Sequence, residues 1–236
     1  LVDDHTRFKF VYFLREKSDA LKRMQRFAAE FNAHGSTLEG QPTRSFGSFH
    51  SDNAGEFVSH EFREFLDNSR IAHTTSPPHA SDLNGVAERA IRSASEGMRA
   101  NIVAANAPKS FWPQAMAQSV DVLNRTTCPP LADTSSYEMM TGVRPKIMHI
   151  MPFGCAAWAV KPKGSISKTA IESKAWEGIN LGCSPKSPGG YLIWVPSINR
   201  VVNTADAYFA ESHYPWRAKG DQFLGDVAAQ AVIATA

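Results

Sequence analysis

Two carboxylates in this chain stand where a metal ion could use them. Asp52 sits in Ser51-Asp52-Asn53-Ala54-Gly55-Glu56-Phe57, after a short run of strand character. Glu88 sits in Asn84-Gly85-Val86-Ala87-Glu88-Arg89, about one turn into a long helical pattern, and 35 residues lie between the two. Phosphoryl transfer by a two-metal site needs acidic side chains that converge from different elements. A short Asp suits the rigid end of a strand, a longer Glu reaches in from a helix, and Mg²⁺ or Mn²⁺ takes such hard oxygen ligands. Each residue alone also has a plainer reading: Asp52 caps the turn from Asn53 to Gly55, and Glu88 pairs on the helix surface with Arg92 at i+4. Arg89, Arg92 and Arg99 lie off the apolar stripe of the same helix, either as phosphate contacts or as a solvated basic face.

The elements that must carry these groups follow from pattern. Phe8 to Leu14 reads as a strand after the turn-like Asp3-Asp4-His5-Thr6. Leu21, Met24, Phe27, Ala28 and Phe31 recur at helical spacing behind Ser18 and Asp19 and stop near Gly35. A strand over SFGSFH leads into Asp52, a helix begins near Ser59 with Phe62, Phe65 and Leu66 inward, and Ile71 to Thr75 is a further strand before Pro77 and Pro78. The helix opened by Asp82-Leu83-Asn84-Gly85 should bury Val86, Ala87, Ile91, Ala94, Met98 and Ile102. Another covers Phe111 to Asn124 with Trp112, Ala115, Met116, Val120 and Leu123 inward, ending before Pro129-Pro130. Strands alternating with helices indicate an α/β architecture over roughly the first 145 residues.

From about Met151 the texture changes to the short β-type runs CAAWAV, GINLGC, GYLIWV and RVVNTADAYF, separated by Gly and Pro turns, which suggests a small all-β barrel or sandwich. Trp158 and Trp194 fall in these runs, Trp176 just ahead of one, and all three read as core residues. Trp216 to Ala236 is alanine-rich and reads as a frayed helix or linker. The net charge is only +2, yet Arg144, Lys146, Lys161, Lys163, Lys168 and Lys174 face a single acid, Glu172, in their stretch. A local basic surface for nucleic acid fits that distribution. Cys128, Cys155 and Cys183 are scattered with no C-x-x-C spacing, which favours a reducing compartment and disfavours a cysteine zinc site. No stretch reaches the roughly 18 apolar residues of a membrane span, and His50 and His73 beside the strands read as structural. Because the chain opens on Leu1, it is expected to be a fragment or a processed piece.

Taken in order, the motifs resemble the copia-type retrotransposon integrases, members of the retroviral-type, ribonuclease H-like superfamily. Asp52, Asn53 and Phe57 resemble the Asp-Asn-Gly-x-x-Phe element, with Ala54 intervening before Gly55, and Asn84, Gly85, Glu88 and Arg89 match Asn-Gly-x-x-Glu-Arg. VDDHTRF, FKFVYFL, FWPQA, LNRT, YEMMTGVRP, FGC, GINLGC and YLIWVP continue the likeness across about 200 residues. It implies a ribonuclease H-like core over residues 1–145, a mixed sheet flanked by helices with its first strand missing. A Src-homology-3-like barrel over 146–213 and a linker or tail over 214–236 follow. It implies Asp52 and Glu88 as catalytic metal ligands, Mg²⁺ or Mn²⁺ as cofactor, and DNA contacts from Arg89, Arg92, Arg99, Lys161 and Lys163. Strand transfer would join element DNA ends to a target. The partners would be that DNA, other polyprotein products such as reverse transcriptase, and further copies of the chain, in the nucleus after a cytoplasmic virus-like particle stage. The family's first catalytic Asp belongs to a strand expected upstream of Leu1, and Asp3 and Asp4 read as turn residues, one of them pairing with Arg7. The fragment alone is therefore expected to be inactive. A non-catalytic nucleic-acid-binding remnant of a decayed element is the alternative. A hydrolytic ribonuclease H-like nuclease is disfavoured by the Asn-Gly-x-x-Glu-Arg element and the FWPQA helix.

Overall fold

The computed structural model describes residues 1–35, 45–76, 84–128, 131, 133–162, 173–185, 187 and 189–218. The chain forms two compact units, one of residues 12–89 and one of residues 1–11 with 90 onward. The expected α/β class holds: a helix-flanked parallel pair of strands lies in the first, and an antiparallel sheet in the second. Pro77, Pro78, Asp82, Leu83, Pro129, Pro130, Lys163, Lys168, Glu172 and the tail beyond residue 218 lie outside the described residues.

In the unit of residues 12–89, helix α1 (Ala20–Gly35) buries Ala20, Met24, Phe27 and Ala28 on one face, as its spacing requires. A single 3₁₀ turn, Lys17–Asp19, precedes it, with Glu16 and Asp19 closing a capping box in place of a Ser18 cap. Strands β1 (Ser48–Ser51) and β2 (Ala72–Thr75) pair in parallel, with Phe49 opposite His73 and Ser51 opposite Thr75. Between them run the one-turn helix α2 (Gly55–Val58) and helix α3 (His60–Asn68), whose N-cap Ser59 accepts from the Phe62 N–H at 3.3 Å. Phe62 and Leu66 are fully buried, each worth roughly 2–3 kcal/mol of burial. Edge-to-face contacts of Phe27 with Phe46, Phe46 with Phe49, and Phe49 with Phe57 carry the core from α1 across β1 to α2.

Phe8 to Leu14 corrects the strand expected there, because no ladder forms along it. The segment meets Leu1 to Asp3 through one isolated bridge, Val2 with Lys9, and a few backbone bonds. The side-chain amide of Asn124 takes the place of a neighbouring strand: its Oδ1 accepts from Lys9 N at 2.9 Å and its Nδ2 donates to Lys9 O at 2.8 Å. One residue is thereby satisfied where a strand would satisfy several. In the turn before it, Asp3 accepts from the Thr6 amide and hydroxyl and Asp4 pairs with Arg7. Both acids are occupied by the turn itself.

Helix α4 (Gly85–Ala105) crosses the division between the units, which falls between Arg89 and Ala90. Helix α5 (Trp112–Arg125) packs on it, with Ser119 Oγ donating to Ala94 O at 3.0 Å, and short helix α6 (Ser136–Thr141) follows with Ser135 as N-cap. Two inward assignments are corrected here. Ile91 is 66% exposed and Trp112 48% exposed. The cluster that packs Met98 and Ile102 meets only the C-terminal half of α4, and Phe111, in the 3₁₀ turn ahead of α5, occupies the core position near Trp194 and Trp216.

Strands β3 (Ala156–Val160), β4 (Ala175–Cys183), β5 (Tyr191–Val195), β6 (Arg200–Thr204) and β7 (Ala207–Ala210) pair antiparallel in the order β6-β5-β4-β3-β7. The two edge strands are consecutive in sequence, joined only by Ala205 and Asp206. A flat five-stranded sheet would hold its edges about 19 Å apart at roughly 4.8 Å per strand, whereas three peptide units span at most about 11 Å. The sheet must curl into a barrel. Ala157, Ala159, Ile193 and Val195 fill its interior with Trp176, Val202 and Phe209, while Ile179, Leu181 and Trp194 on the outer face pack with Phe111, Ala115 and the Trp216 of α7 (Pro215–Ala218). Burial pushes the Cys155 and Cys183 thiols up to about 11, Cys183 also through Asp121 beside it. Neither is a reactive thiolate.

Candidate metal and nucleic-acid site

β1 delivers Asp52 one residue beyond its end, and the carboxylate is exposed. Its Oδ1 accepts from the Ala54 N–H at 3.2 Å, so the turn expected of it is formed and Oδ2 is left outward. The side chains around it turn to β2 instead. Ser51 Oγ donates to the Asp52 carbonyl at 2.8 Å and accepts from His73 Nε2 at 3.0 Å. Asn53 Nδ2 donates to Ser76 O at 2.9 Å, and the His50 ring spans Thr74 Oγ1 at 2.8 Å and Ser76 Oγ at 2.9 Å. Both histidines are tied by hydrogen bonds into the β1–β2 pairing; that they and Ser76 frame Asp52 was not foreseen, although alternate hydroxyls at Thr74 and Ser76 share the period-two side of a strand that His50 can reach.

Glu88 is exposed in the first turn of α4, within the same unit as Asp52. Arg89, one residue on, is exposed with its guanidinium folded back on the helix start: a Cβ at Gly85 would lie 3.3 Å from Arg89 Nη1. Gly85 therefore gives Arg89 room to lie close to the helix entry. Arg92 and Arg99 are exposed seven residues apart, two turns along one face of α4, in the other unit. Lys161 lies beyond the end of β3, its Nζ 5.8 Å from the Trp176 ring centre, and its N–H donates to Lys174 O at 2.9 Å. Lys163, its companion in the sequence, lies outside the described residues. Among the described residues no group of three or more His, Cys, Asp or Glu side chains is placed to hold a metal ion. Asp52 and Glu88 are exposed carboxylates of the unit of residues 12–89, hard oxygen donors of the kind such an ion takes, as are Glu61, Glu64 and Asp67.

His73 stacks on Phe49 with ring centres 5.4 Å apart, and burial, with Arg63 and His50 nearby, lowers its pKa from the ordinary 6.5. The unfolded chain then binds a proton more readily than the folded one. The stability His73 contributes is whole above pH 6.5 and is lost as pH falls through the lowered folded value. Urea unfolding between pH 8 and pH 5 is expected to show that decline, and His73→Gln to flatten it. A slope unchanged by His73→Gln would remove His73 as its source.

Residues 155–222 match the family model for the retroviral polymerase SH3-like domain. The chain is 32% identical over 211 residues to the retrovirus-related Pol polyprotein from transposon TNT 1-94 of Nicotiana tabacum, covering 89% of this chain and 15% of that protein. It is 30% identical over 216 residues to the Pol polyprotein from transposon RE1 of Arabidopsis thaliana, covering 91% and 14%. Together these likenesses support a copia-type integrase fragment. The chain spans about one seventh of the length of those curated relatives. Among solved structures it is similar to the HTLV-2 integrase catalytic core domain in complex with magnesium, with a TM-score of 0.43 and 18% identity over 59% of this chain and 80% of that one. A simian T-cell lymphotropic virus intasome in complex with PP2A regulatory subunit B56 gamma gives a TM-score of 0.46 and 18% identity over 89% and 68%.

Proposed function

We propose that this copia-type integrase segment serves DNA integration: metal-dependent transfer of element 3′ ends into target DNA as part of a retrotransposon polyprotein. The observation that carries the reading is the Asp52 turn, where the flanking side chains are tied to β2 and the exposed carboxylate is bonded only to its own turn. Asp52 and Glu88 would hold Mg²⁺ or Mn²⁺. When bound, the metal supplies Lewis-acid stabilisation of the attacking and leaving oxygens of a phosphodiester. The protein's own part is positional. Ala54 N–H fixes one Asp52 oxygen, Gly85 admits the Arg89 guanidinium beside the helix start, and Arg92 and Arg99 meet DNA phosphates, with Lys161 and Lys163 a second contact on the barrel. A ribonuclease H-like core over residues 1–145, a barrel over 146–213, a tail over 214–236, a third carboxylate from upstream sequence, self-association and a nuclear site of action belong to the same proposal.

The first test is binding of the full chain to duplex DNA across a salt series. Each neutralised phosphate contributes roughly 0.9 to the slope of log affinity against log salt. Arg92→Ala is expected to lower that slope by about one and to weaken binding alike on unrelated sequences. An unchanged slope would remove Arg92 from the interface. DNA binding without any metal-dependent joining, in the chain expressed within its full coding sequence, would select the non-catalytic remnant instead.

A further inference from the structure

We propose that His50 and Asn53 are positioning residues that aim the Asp52 carboxylate by locking Ser76 at the end of β2, an inference that rests on reading Asp52 as a metal ligand. Ser76 is 6% exposed, and each of its three polar groups is held by a neighbour of Asp52. Its N–H donates to Ser51 O at 3.0 Å, its hydroxyl meets His50 Nε2 at 2.9 Å, and its carbonyl accepts from Asn53 Nδ2 at 2.9 Å.

Ending the β1–β2 ladder needs only the first of these bonds, which continues the register past Ser51 and Thr75. The other two are additional, and both come from exposed side chains that add little to the core. Their effect is geometric. Residue 51 is fixed through its backbone and through His73, residue 50 through two hydroxyls and residue 53 through its amide, so the peptide units on both sides of Asp52 are fixed to β2. Asp52 is left with its own short-range bond to Ala54 N–H and an outward oxygen. A carboxylate held in this way loses little freedom when it binds an ion, the role that outer hydrogen bonds play around metal ligands in general.

The test uses the full chain and two readouts. Amide exchange at Ala54 reports the Asp52 turn without any metal, and Mn²⁺ affinity measured by electron paramagnetic resonance reports its use, with Asp52→Asn as control. His50→Ala and Asn53→Ala are each expected to speed Ala54 exchange roughly fivefold, the equivalent of one hydrogen bond, with exchange at Phe49 and the unfolding midpoint unchanged. Each should weaken Mn²⁺ binding by about tenfold. The double variant should be no worse than the weaker single one, because both bonds end on Ser76. His50→Gln, which can reach one of the two hydroxyls, should fall between wild type and His50→Ala. Unchanged Ala54 exchange, or an equal rise at Phe49, overturns the proposal. If Asp52→Asn binds Mn²⁺ like the wild type while Ala54 exchange still rises in His50→Ala, the locking stands and the metal-ligand reading falls.

Discussion

Asn in place of Asp52, or Gln in place of Glu88, is expected to abolish divalent-metal-dependent joining of DNA ends to a target while leaving the fold intact. The substitutions are chosen for what they keep. An Asn side chain presents the same Oδ1 to the Ala54 N–H, so the turn that Asp52 closes at 3.2 Å survives. Gln is as good a helix former as Glu in the first turn of α4. What disappears is the negative charge that, under the proposed function, would hold a metal against phosphate. Metal stabilisation of a phosphoryl transition state is worth several kcal/mol, so each variant should lose roughly a thousandfold or more in rate. The measurement is joining of a labelled end oligonucleotide to plasmid, by the protein expressed from its full coding sequence, in Mg²⁺ and in Mn²⁺. Duplex DNA affinity gives an internal control of opposite sign: removing a carboxylate near phosphates should leave affinity equal or tighter. Activity within tenfold of wild type in Asp52→Asn would end the assignment of Asp52 as a ligand.

What could be read from residues alone follows the range of the interactions involved. Helices α1, α3, α4 and α5 announce themselves through local spacing and caps such as Ser59, because helix bonds close within four residues. Asp52 and Glu88 were visible for the same reason, each sitting in a short motif. The failures are all non-local. Phe8 to Leu14 has the composition of a strand, but a strand is defined by its neighbour, and here the amide of Asn124 bonds Lys9 from 115 positions away. Trp112 and Phe111 are adjacent aromatics, and only the packing of the barrel against α5 decides that Phe111 goes inward. The contacts that aim Asp52 were hidden likewise: His50 and Ser76 are 26 residues apart and meet only because β1 and β2 pair in parallel register. Curling of the barrel, by contrast, is enforced by a two-residue connection, yet that connection becomes informative only once the strand order is known.

Gly154→Ala is expected to be strongly destabilising in the unit that carries the barrel. The backbone at Gly154 has φ +79°, and an added Cβ would stand 2.3 Å from the Ala105 Cβ and 3.4 Å from the Trp216 ring. Neither neighbour can withdraw easily, since Ala105 ends α4 with no exposed surface and Trp216 is 4% exposed in the same core cluster. Nor can Gly154 rotate away, because its N–H donates to Asn180 O at 2.8 Å. Asn180 is itself fixed by bonds from its side chain to the Met151 and Pro152 carbonyls and from the Gly182 N–H. Left-handed strain costs about 1 kcal/mol and forced overpacking about 1–3 kcal/mol more, a large share of the roughly 5–15 kcal/mol that holds a domain folded. Gly189 separates the two causes. Its φ is +74°, nearly the same, but a Cβ there meets nothing within 4 Å. Urea unfolding should therefore show a loss of about 1 kcal/mol for Gly189→Ala, the strain alone, and two to four times that for Gly154→Ala. Equal losses would mean that close packing between Gly154, the end of α4 and Trp216 contributes nothing, and that the backbone angle by itself explains why glycine stands at the entry to β3.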